Sequence, residues 1–468
     1  LRESCGIVGL ALNDRESDNA ALPIYYALYA LQHRGQESTG ITVHDGKSAG
    51  TLKGMGLVPD VFKKYNLGDL KGFVGIGHVR YSTTGDSTIE NSQPLIVNFM
   101  DRTIAIAHNG NLVNSADLVA EFEAKGQVFL TSSDTEVIAR LLVKELLRTD
   151  ILGAVEEVMK RLVGSYSLTI LVDDTLVVVR DPLGFKPLCL GELDGGYVVT
   201  SESAAIDTIG GKLIRDVRPG EVLIFKDGRY SSHHLFKTKN TAHCVFEYIY
   251  FARADSIIDG QLVYQTRIRI GERLLDEHAI DADIISPVPD SGITFAIGYS
   301  KKSGIDYIEG LMKNRYIGRT FIMPDQKMRE TAVRLKLNTI RQNLEGKKVI
   351  LMDDSIVRGT TSRRIVDMVR KAGAEEVHTR IGSPPIVSPC YLGIDMATRE
   401  ELVAAHKTVA GVEAVINADS LGYVSVEGLV EAVGIPADDL CLGCLTGVYP
   451  VEIPGEECKR RQLTLNQF

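Results

Sequence analysis

Val349-Ile350-Leu351-Met352-Asp353-Asp354-Ser355-Ile356-Val357-Arg358-Gly359-Thr360-Thr361 changes character twice along its length. Val349–Met352 is apolar and partly β-branched, the pattern of a buried parallel strand. Asp353 and Asp354 fall at its carboxyl end, where open α/β sheets place their ligands. Ser355–Thr361 then reads as a loop. Thr361 or Ser362 is expected to cap a helix that runs to Lys371 with Ile365, Val366, Met368, Val369 and Ala372 inward and stops at Gly373. Loop amides and threonine hydroxyls can hold a phosphate at the positive end of that helix. The two carboxylates can accept hydrogen bonds from sugar hydroxyls, directly or through hydrated Mg²⁺. A lone acidic pair after a strand is usually a solvated turn. The continuation Arg358-Gly359-Thr360-Thr361 is a far narrower signal, that of a loop able to hold a phosphate beside sugar hydroxyls.

Strand–helix alternation continues on both sides. Arg267–Glu277 and Ile293–Ser300 read as helices, Ala282–Val288 and Glu376–Ile381 as strands, and Val245–Ala252 as a further strand-like run. The result is a largely parallel α/β sheet. Asp290-Ser291-Gly292 ends a second strand, level with the acidic pair if the strands are parallel, and can receive pyrophosphate through amides and a hydroxyl. Lys313–Phe321 is basic, includes Arg319, and can act as a lid that neutralises pyrophosphate and excludes water. Polar Lys237–His243 reads as a linker, which divides the chain into 5–236 and 237–468, with 1–4 as a leader remnant.

The N-terminal half has a different rhythm. Many short strands, broken by Gly, Asn and Asp turns, are interspersed with helices at Ile24–Leu31, Ser115–Lys125, Asp134–Leu147 and Ile151–Leu162. That distribution suggests an α+β sandwich. Cys5 heads the first strand. It is either a small buried hydrophobe or a nucleophile exposed by removal of Leu1–Ser4. In the second case its own α-amine, with a pKa of about 7.7–8.0, can take the thiol proton near neutral pH. Asn109-Gly110 is either a hairpin turn or an oxyanion hole built from an amide side chain and a backbone N–H. Arg80 has the fork that suits a free carboxylate, and Asp134 is either part of a helix cap or the partner of an ammonium group.

Composition sets limits. The 468 residues carry 52 basic and 61 acidic side chains, a net charge of −9 with no basic block, which argues against a nucleic-acid partner. Nothing approaches the run of about 20 apolar residues that spans a membrane, and a cytoplasmic location is expected. Seven scattered cysteines do not form a secreted disulfide framework. Cys244, Cys390, Cys441 and Cys444 come from three distant segments and can make a Cys₄ site; spacing alone leaves zinc and iron–sulfur both open.

Two resemblances sharpen this picture. CGIVG, LQHRGQES, GHVRYSTTG, AHNGNL, SSDTE and RDPLGFKPL, in this order from Cys5 to about residue 235, resemble the glutaminase domain of N-terminal-nucleophile amidotransferases. That resemblance implies an αββα sandwich in which Cys5 attacks glutamine, Asn109 and Gly110 stabilise the oxyanion, and Arg80 and Asp134 grip the amino-acid end near Gly35. DDSIVRGTTSRRIV resembles the motif of type I phosphoribosyltransferases. With FEYIYFARADS and GLMKNRYIGRTF, it extends the likeness to the glutamine phosphoribosylpyrophosphate (PRPP) amidotransferase family over nearly the whole chain. The family resemblance implies synthesis of 5-phosphoribosylamine, with Asp353, Asp354, Ser355, Val357, Arg358, Gly359, Thr360, Thr361 and Arg319 on PRPP. It implies Mg²⁺ near Ser291, Asp353 and Asp354, and a [4Fe–4S] cluster on Cys244, Cys390, Cys441 and Cys444, with Zn²⁺ as the alternative. Purine nucleotides as feedback inhibitors and a homotetramer or homodimer are implied as well.

Overall fold

The structure, a computed structural model, describes residues 5–15, 19–81, 86–314, 337–396 and 398–456. Two antiparallel sheets organise the N-terminal half. The first is seven-stranded, in the order Lys212–Asp216, Cys189–Leu193, Gly196–Thr200, Gly6–Leu12, Val74–Arg80, Ser38–His44 and Ala49–Met55. The second is six-stranded: Arg229–His234, Glu221–Lys226, Thr175–Arg180, Gly164–Val172, Arg102–Leu112 and Leu95–Phe99. Their facing surfaces share a core that includes Ile7, Ile76, Ala105, Leu171, Val178, Val199 and Leu223. The outer face of the first sheet is covered by the helix Ala21–Ala30, through Ile24, Ala27 and Leu28. The outer face of the second is covered by Asp134–Leu146 and Ile151–Arg161, through Val137, Leu141, Val155 and Val158. Helix, sheet, sheet and helix stack as the expected αββα sandwich, because each strand pair is apolar on both faces and needs cover on both.

The C-terminal half holds a five-stranded parallel sheet in the order Asp306–Tyr307, Ile284–Pro287, Lys348–Asp353, Glu376–Ile381 and Ser420–Tyr423. Ile365, Val366 and Val369 of the helix Thr360–Lys371 pack on one face. The helices Val263–His278 and Ile293–Ser303 pack on the other through Val263, Ile270, Leu274, Phe295, Ala296 and Tyr299.

Three local expectations change. Val245–Ala252 is not a strand: Glu247–Phe251 forms a single π-helical turn. Phe246, Tyr248, Ile249 and Phe251 are all buried, and an apolar run with no exposed face carries no periodicity to separate strand from helix. The helix after the acidic pair starts at Thr360 and is capped by Gly359, at φ +76° and with no side-chain hydrogen bond, not by Thr361 or Ser362. Asn109-Gly110 is not a hairpin turn either. It lies inside the strand Arg102–Leu112, opposite Ser167 and Tyr166.

Candidate functional site

Cys5 immediately precedes the central Gly6–Leu12 strand and is 8% exposed. Its Sγ donates to the Tyr81 carbonyl at 3.4 Å. Burial, the largest influence, pushes the thiol up; the Tyr81 contact, Arg80 and Lys186 pull it down, and Asp134 pushes it up again. Arg80 and Asp134, distant in sequence, therefore share one electrostatic environment with Cys5. Arg80 ends the strand Val74–Arg80, is buried, and donates to the Asp86 carbonyl at 3.1 Å. Asp134 is the first residue of its helix, and Ser133 supplies the cap. Burial opposes its charge, but His108 at 3.4 Å and the Leu112 N–H at 3.0 Å hold the carboxyl below the usual range. Gly35 lies beside this group: Glu37, two residues on, donates its N–H to the Arg80 carbonyl at 3.0 Å.

Asn109 is fully buried, yet neither its amide nitrogen nor its amide oxygen has a hydrogen-bond partner among the described residues. A buried amide left unpaired costs about 1–3 kcal/mol, so the group is organised for something other than its resting contacts. Gly110 beside it tolerates no side chain, since a Cβ would sit 2.1 Å from the Ser165 carbonyl oxygen.

The second centre lies at the carboxyl ends of two adjacent parallel strands, Ile284–Pro287 and Lys348–Asp353, registered Pro287 to Met352. Val288 donates its N–H to the Met352 carbonyl at 2.8 Å, which brings the Pro289–Gly292 loop and Ser291 beside the acidic pair. The Pro289–Asp290 peptide is cis. Asp354 donates its N–H to Asp353 Oδ1 at 2.9 Å and accepts from the Ser355 hydroxyl. Burial and the neighbouring Asp354 raise the Asp353 carboxyl well above the usual range. Two carboxylates that resist joint ionisation are a fitting seat for a divalent cation, which removes that penalty. Ile356 anchors the loop in the core, Val357 is half-buried, and Thr360 and Thr361 stand exposed at the helix N-terminus. Arg358 is exposed and pairs with Glu401 at 2.7 Å. Of the Lys313–Phe321 stretch, residues 315–321, Arg319 included, lie outside the described residues; Lys313 pairs with Asp290 at 2.5 Å.

Cys244, Cys390, Cys441 and Cys444 wall a single cavity together with Phe185, Leu392, Ile394 and Tyr449. Cys244 and Cys441 are opposite residues of a short parallel bridge. The Cys444 carbonyl accepts from the Val387 and Ser388 amides, which draws the third segment in. All four thiols are free; burial pushes Cys244 up to about 12 and raises Cys441 and Cys444 as well. Among the described residues no three His, Cys, Asp or Glu side chains converge closely enough to hold a single ion.

Residues 78–208 match the model of a glutamine amidotransferase domain. The amidophosphoribosyltransferase of Methanocaldococcus jannaschii is 54% identical, over 98% of this chain and all of that protein. The chain belongs to the amidophosphoribosyltransferase family. The Bacillus subtilis amidophosphoribosyltransferase is 46% identical over 97% of this chain and 95% of its own length. The solved structure of the B. subtilis glutamine PRPP amidotransferase complexed with ADP and GMP superposes with a TM-score of 0.90 at 44% identity, covering 96% of this chain and 98% of that one.

Two residues that join the halves escape a reading of the sequence. Arg34 is fully buried; it donates to the Cys5 carbonyl at 3.1 Å, to Glu202 at 2.6 Å and to Glu247 at 2.7 Å. It joins the Cys5 centre to the π-helical turn of the other half. Arg267 donates to the Tyr248 and Ala252 carbonyls at 2.8 Å, which grips the far side of that turn; burial disfavours its charge and the Asp354 carboxyl favours it. Arg34 stands within LQHRGQES, but Glu247 is 213 positions away and nothing local marks the pair.

Proposed function

We propose that the protein makes 5-phosphoribosylamine from PRPP, glutamine and water, releasing glutamate and pyrophosphate, the first committed step of de novo purine synthesis. The observation that carries this reading is the presence of two centres on one chain: a buried thiol that shares its surroundings with Arg80 and Asp134, and an acidic strand end leading into a hydroxyl-rich loop.

At the first centre, Arg80 takes the α-carboxylate of glutamine and Asp134 its α-ammonium group, beside Gly35. Removal of Leu1–Ser4 would free the α-amine of Cys5 to accept the thiol proton and pass it to the departing nitrogen. Sγ then bonds to the carboxamide carbon while the Asn109 amide and the Gly110 N–H receive the oxyanion. Collapse expels ammonia and leaves a thioester, which water cleaves to glutamate and free thiol. At the second centre, Ser355–Thr361 hold the 5′-phosphate, with Arg319 contributing charge to the pyrophosphate. Ammonia bonds to C1 of the ribose as the C1–pyrophosphate bond breaks, and the added nitrogen sheds a proton. Ser291, Asp353 and Asp354 are the residues that would hold Mg²⁺, which when bound neutralises charge on the leaving pyrophosphate.

Cys244, Cys390, Cys441 and Cys444 suit a [4Fe–4S] cluster, with Zn²⁺ as the alternative: four thiols from three segments line one cavity. Its part is to tie three distant segments together. The ADP and GMP bound to the B. subtilis relative support purine nucleotides as regulators. A homotetramer or homodimer in the cytoplasm completes the proposal; among the described residues no helix is long and apolar enough to cross a membrane.

The test is to measure glutamate and pyrophosphate together in anaerobically purified protein given glutamine, PRPP and Mg²⁺. Equal, PRPP-dependent release is expected. Glutamate without pyrophosphate would overturn the second half of the proposal, and pyrophosphate release with ammonia but never with glutamine would overturn the first.

A further inference from the structure

Residues Tyr391–Asp395 belong to the phosphoribosyl half and directly follow Cys390, yet they reach into the wall of the Cys5 centre. Three successive carbonyls accept hydrogen bonds from the glutaminase half. Tyr391 receives one from Asn111 Nδ2 at 2.8 Å, Leu392 from the Ser165 hydroxyl at 2.9 Å, and Gly393 from Lys186 Nζ at 3.1 Å. Asn111 follows Gly110 and is registered with Ser165 on the paired strand, so this ladder fixes the Leu112 end of the Asn109–Gly110 stretch. Asp395 accepts from the Tyr81 hydroxyl at 3.5 Å, and the Tyr81 carbonyl is the acceptor for the Cys5 thiol. Gly393, at φ +90°, is wedged in place: a Cβ there would lie 3.0 Å from Lys186 Cε and 3.1 Å from the Gly110 carbonyl carbon.

Lys186 is the unusual member. It is fully buried, and its ammonium has a carbonyl rather than a carboxylate as its hydrogen-bond partner among the described residues. Buried charges are ordinarily paired. The backbone around it is pinned, since the Lys186 carbonyl accepts from Arg180 Nε at 2.9 Å. Its field falls on the Cys5 sulfur, together with those of Arg80 and Asp134.

We propose that Lys186 and the Tyr391–Asp395 segment are positioning elements of the glutamine-cleaving centre. The segment sets the register of the oxyanion-binding strand and seats the lysine cation toward Cys5, so that this centre is complete only with the C-terminal half docked against it. The inference rests on the reading of Cys5 as the nucleophile.

The test uses the full-length enzyme and the pair Lys186→Met and Lys186→Arg. Three rates are followed: glutamine-dependent synthesis, ammonia-dependent synthesis, and alkylation of Cys5 by iodoacetamide near neutral pH, read by mass spectrometry of its peptide. Lys186→Met is expected to lower kcat with glutamine and the Cys5 alkylation rate together, severalfold, since loss of a nearby cation disfavours the thiolate. KM for glutamine and the ammonia-dependent rate should hold, and Lys186→Arg should recover most of the loss. Unchanged glutamine kinetics and alkylation, or a parallel fall of glutamine- and ammonia-dependent rates, would overturn the proposal. Should Lys186→Met not fold, Gly393→Ala is measured in its place: selective loss of the glutamine-dependent rate supports the proposal, and no loss or parallel loss overturns it. Failure of the underlying reading shows separately, as a wild-type enzyme whose glutamine-dependent turnover survives complete alkylation of Cys5.

Discussion

Replacing Asn109 with alanine should separate activity from stability. The side chain is fully buried with both polar atoms unpaired, so its removal relieves about 1–3 kcal/mol of unsatisfied desolvation. Against that stands a small cavity, worth about 1 kcal/mol per methyl-sized void. The two nearly cancel, and the folded state should keep its stability within about 1 kcal/mol. The rate should not keep pace. If the amide is the oxyanion donor, its loss costs about 10²–10³ in glutamine-dependent kcat, or about 2.7–4 kcal/mol of transition-state stabilisation. Chemical denaturation followed by circular dichroism gives the first quantity, and glutamate release under saturating PRPP gives the second. Ammonia-dependent synthesis serves as the internal control and should be unaffected. The reasoning fails if Asn109→Ala unfolds several kcal/mol more easily while still cleaving glutamine at the wild-type rate, because the amide would then be holding structure and not charge.

Other outcomes follow from the same geometry. Arg34→Met strands Glu202 and Glu247 without their guanidinium, and denaturant titration should show a loss of about 3–5 kcal/mol. Asp353→Asn removes one of two crowded carboxylates; pyrophosphate release with either nitrogen source should drop by about 10²-fold or more while the denaturation midpoint does not fall. Asp181 is buried and its carboxyl is raised to about 6, so the native state binds its proton more tightly than the unfolded chain does. Its contribution is complete below the unfolded value of about 3.9 and fades as pH rises through about 6. The stability difference between wild type and Asp181→Asn should therefore change across that window and be level above it, as stability curves at several pH values will show. Cys444→Ser should abolish iron and sulfide binding in anaerobic preparations, and a wild-type protein that contains zinc and no iron would rule out the cluster.

How much of this was legible in the sequence depends on where each signal resides. The Lys348–Asp353 strand and its acidic end could be read directly, because an apolar run, a charge pair and a glycine-hydroxyl loop are all local features. Glu376–Ile381 falls where the sequence puts it for the same reason. Edge strands such as Ala49–Met55 and Arg229–His234 went unseen, since little of their surface is buried and their residues do not alternate clearly. The π-helical turn at Glu247–Phe251 was hidden by burial on every side. Of the two readings of Asn109-Gly110, the hairpin turn falls away, because its turn chemistry is overridden by pairing with Ser167 and Tyr166. Lys186 and Arg34 gave no warning, because the partners that make them matter come from the other half of the chain.

The Arg34 junction bears on how the two halves can move. One guanidinium holds a carboxylate from each half, Glu202 and Glu247, and also the backbone of the nucleophile. A gradual rotation of one half against the other would have to stretch charge-assisted bonds among three buried side chains. Such a joint behaves as a latch and not as a hinge: it stays shut or it lets go. Signals between the two centres are then best carried by loops and side chains around a fixed joint, with bulk swinging of one half against the other left to the rare moments when the latch is open.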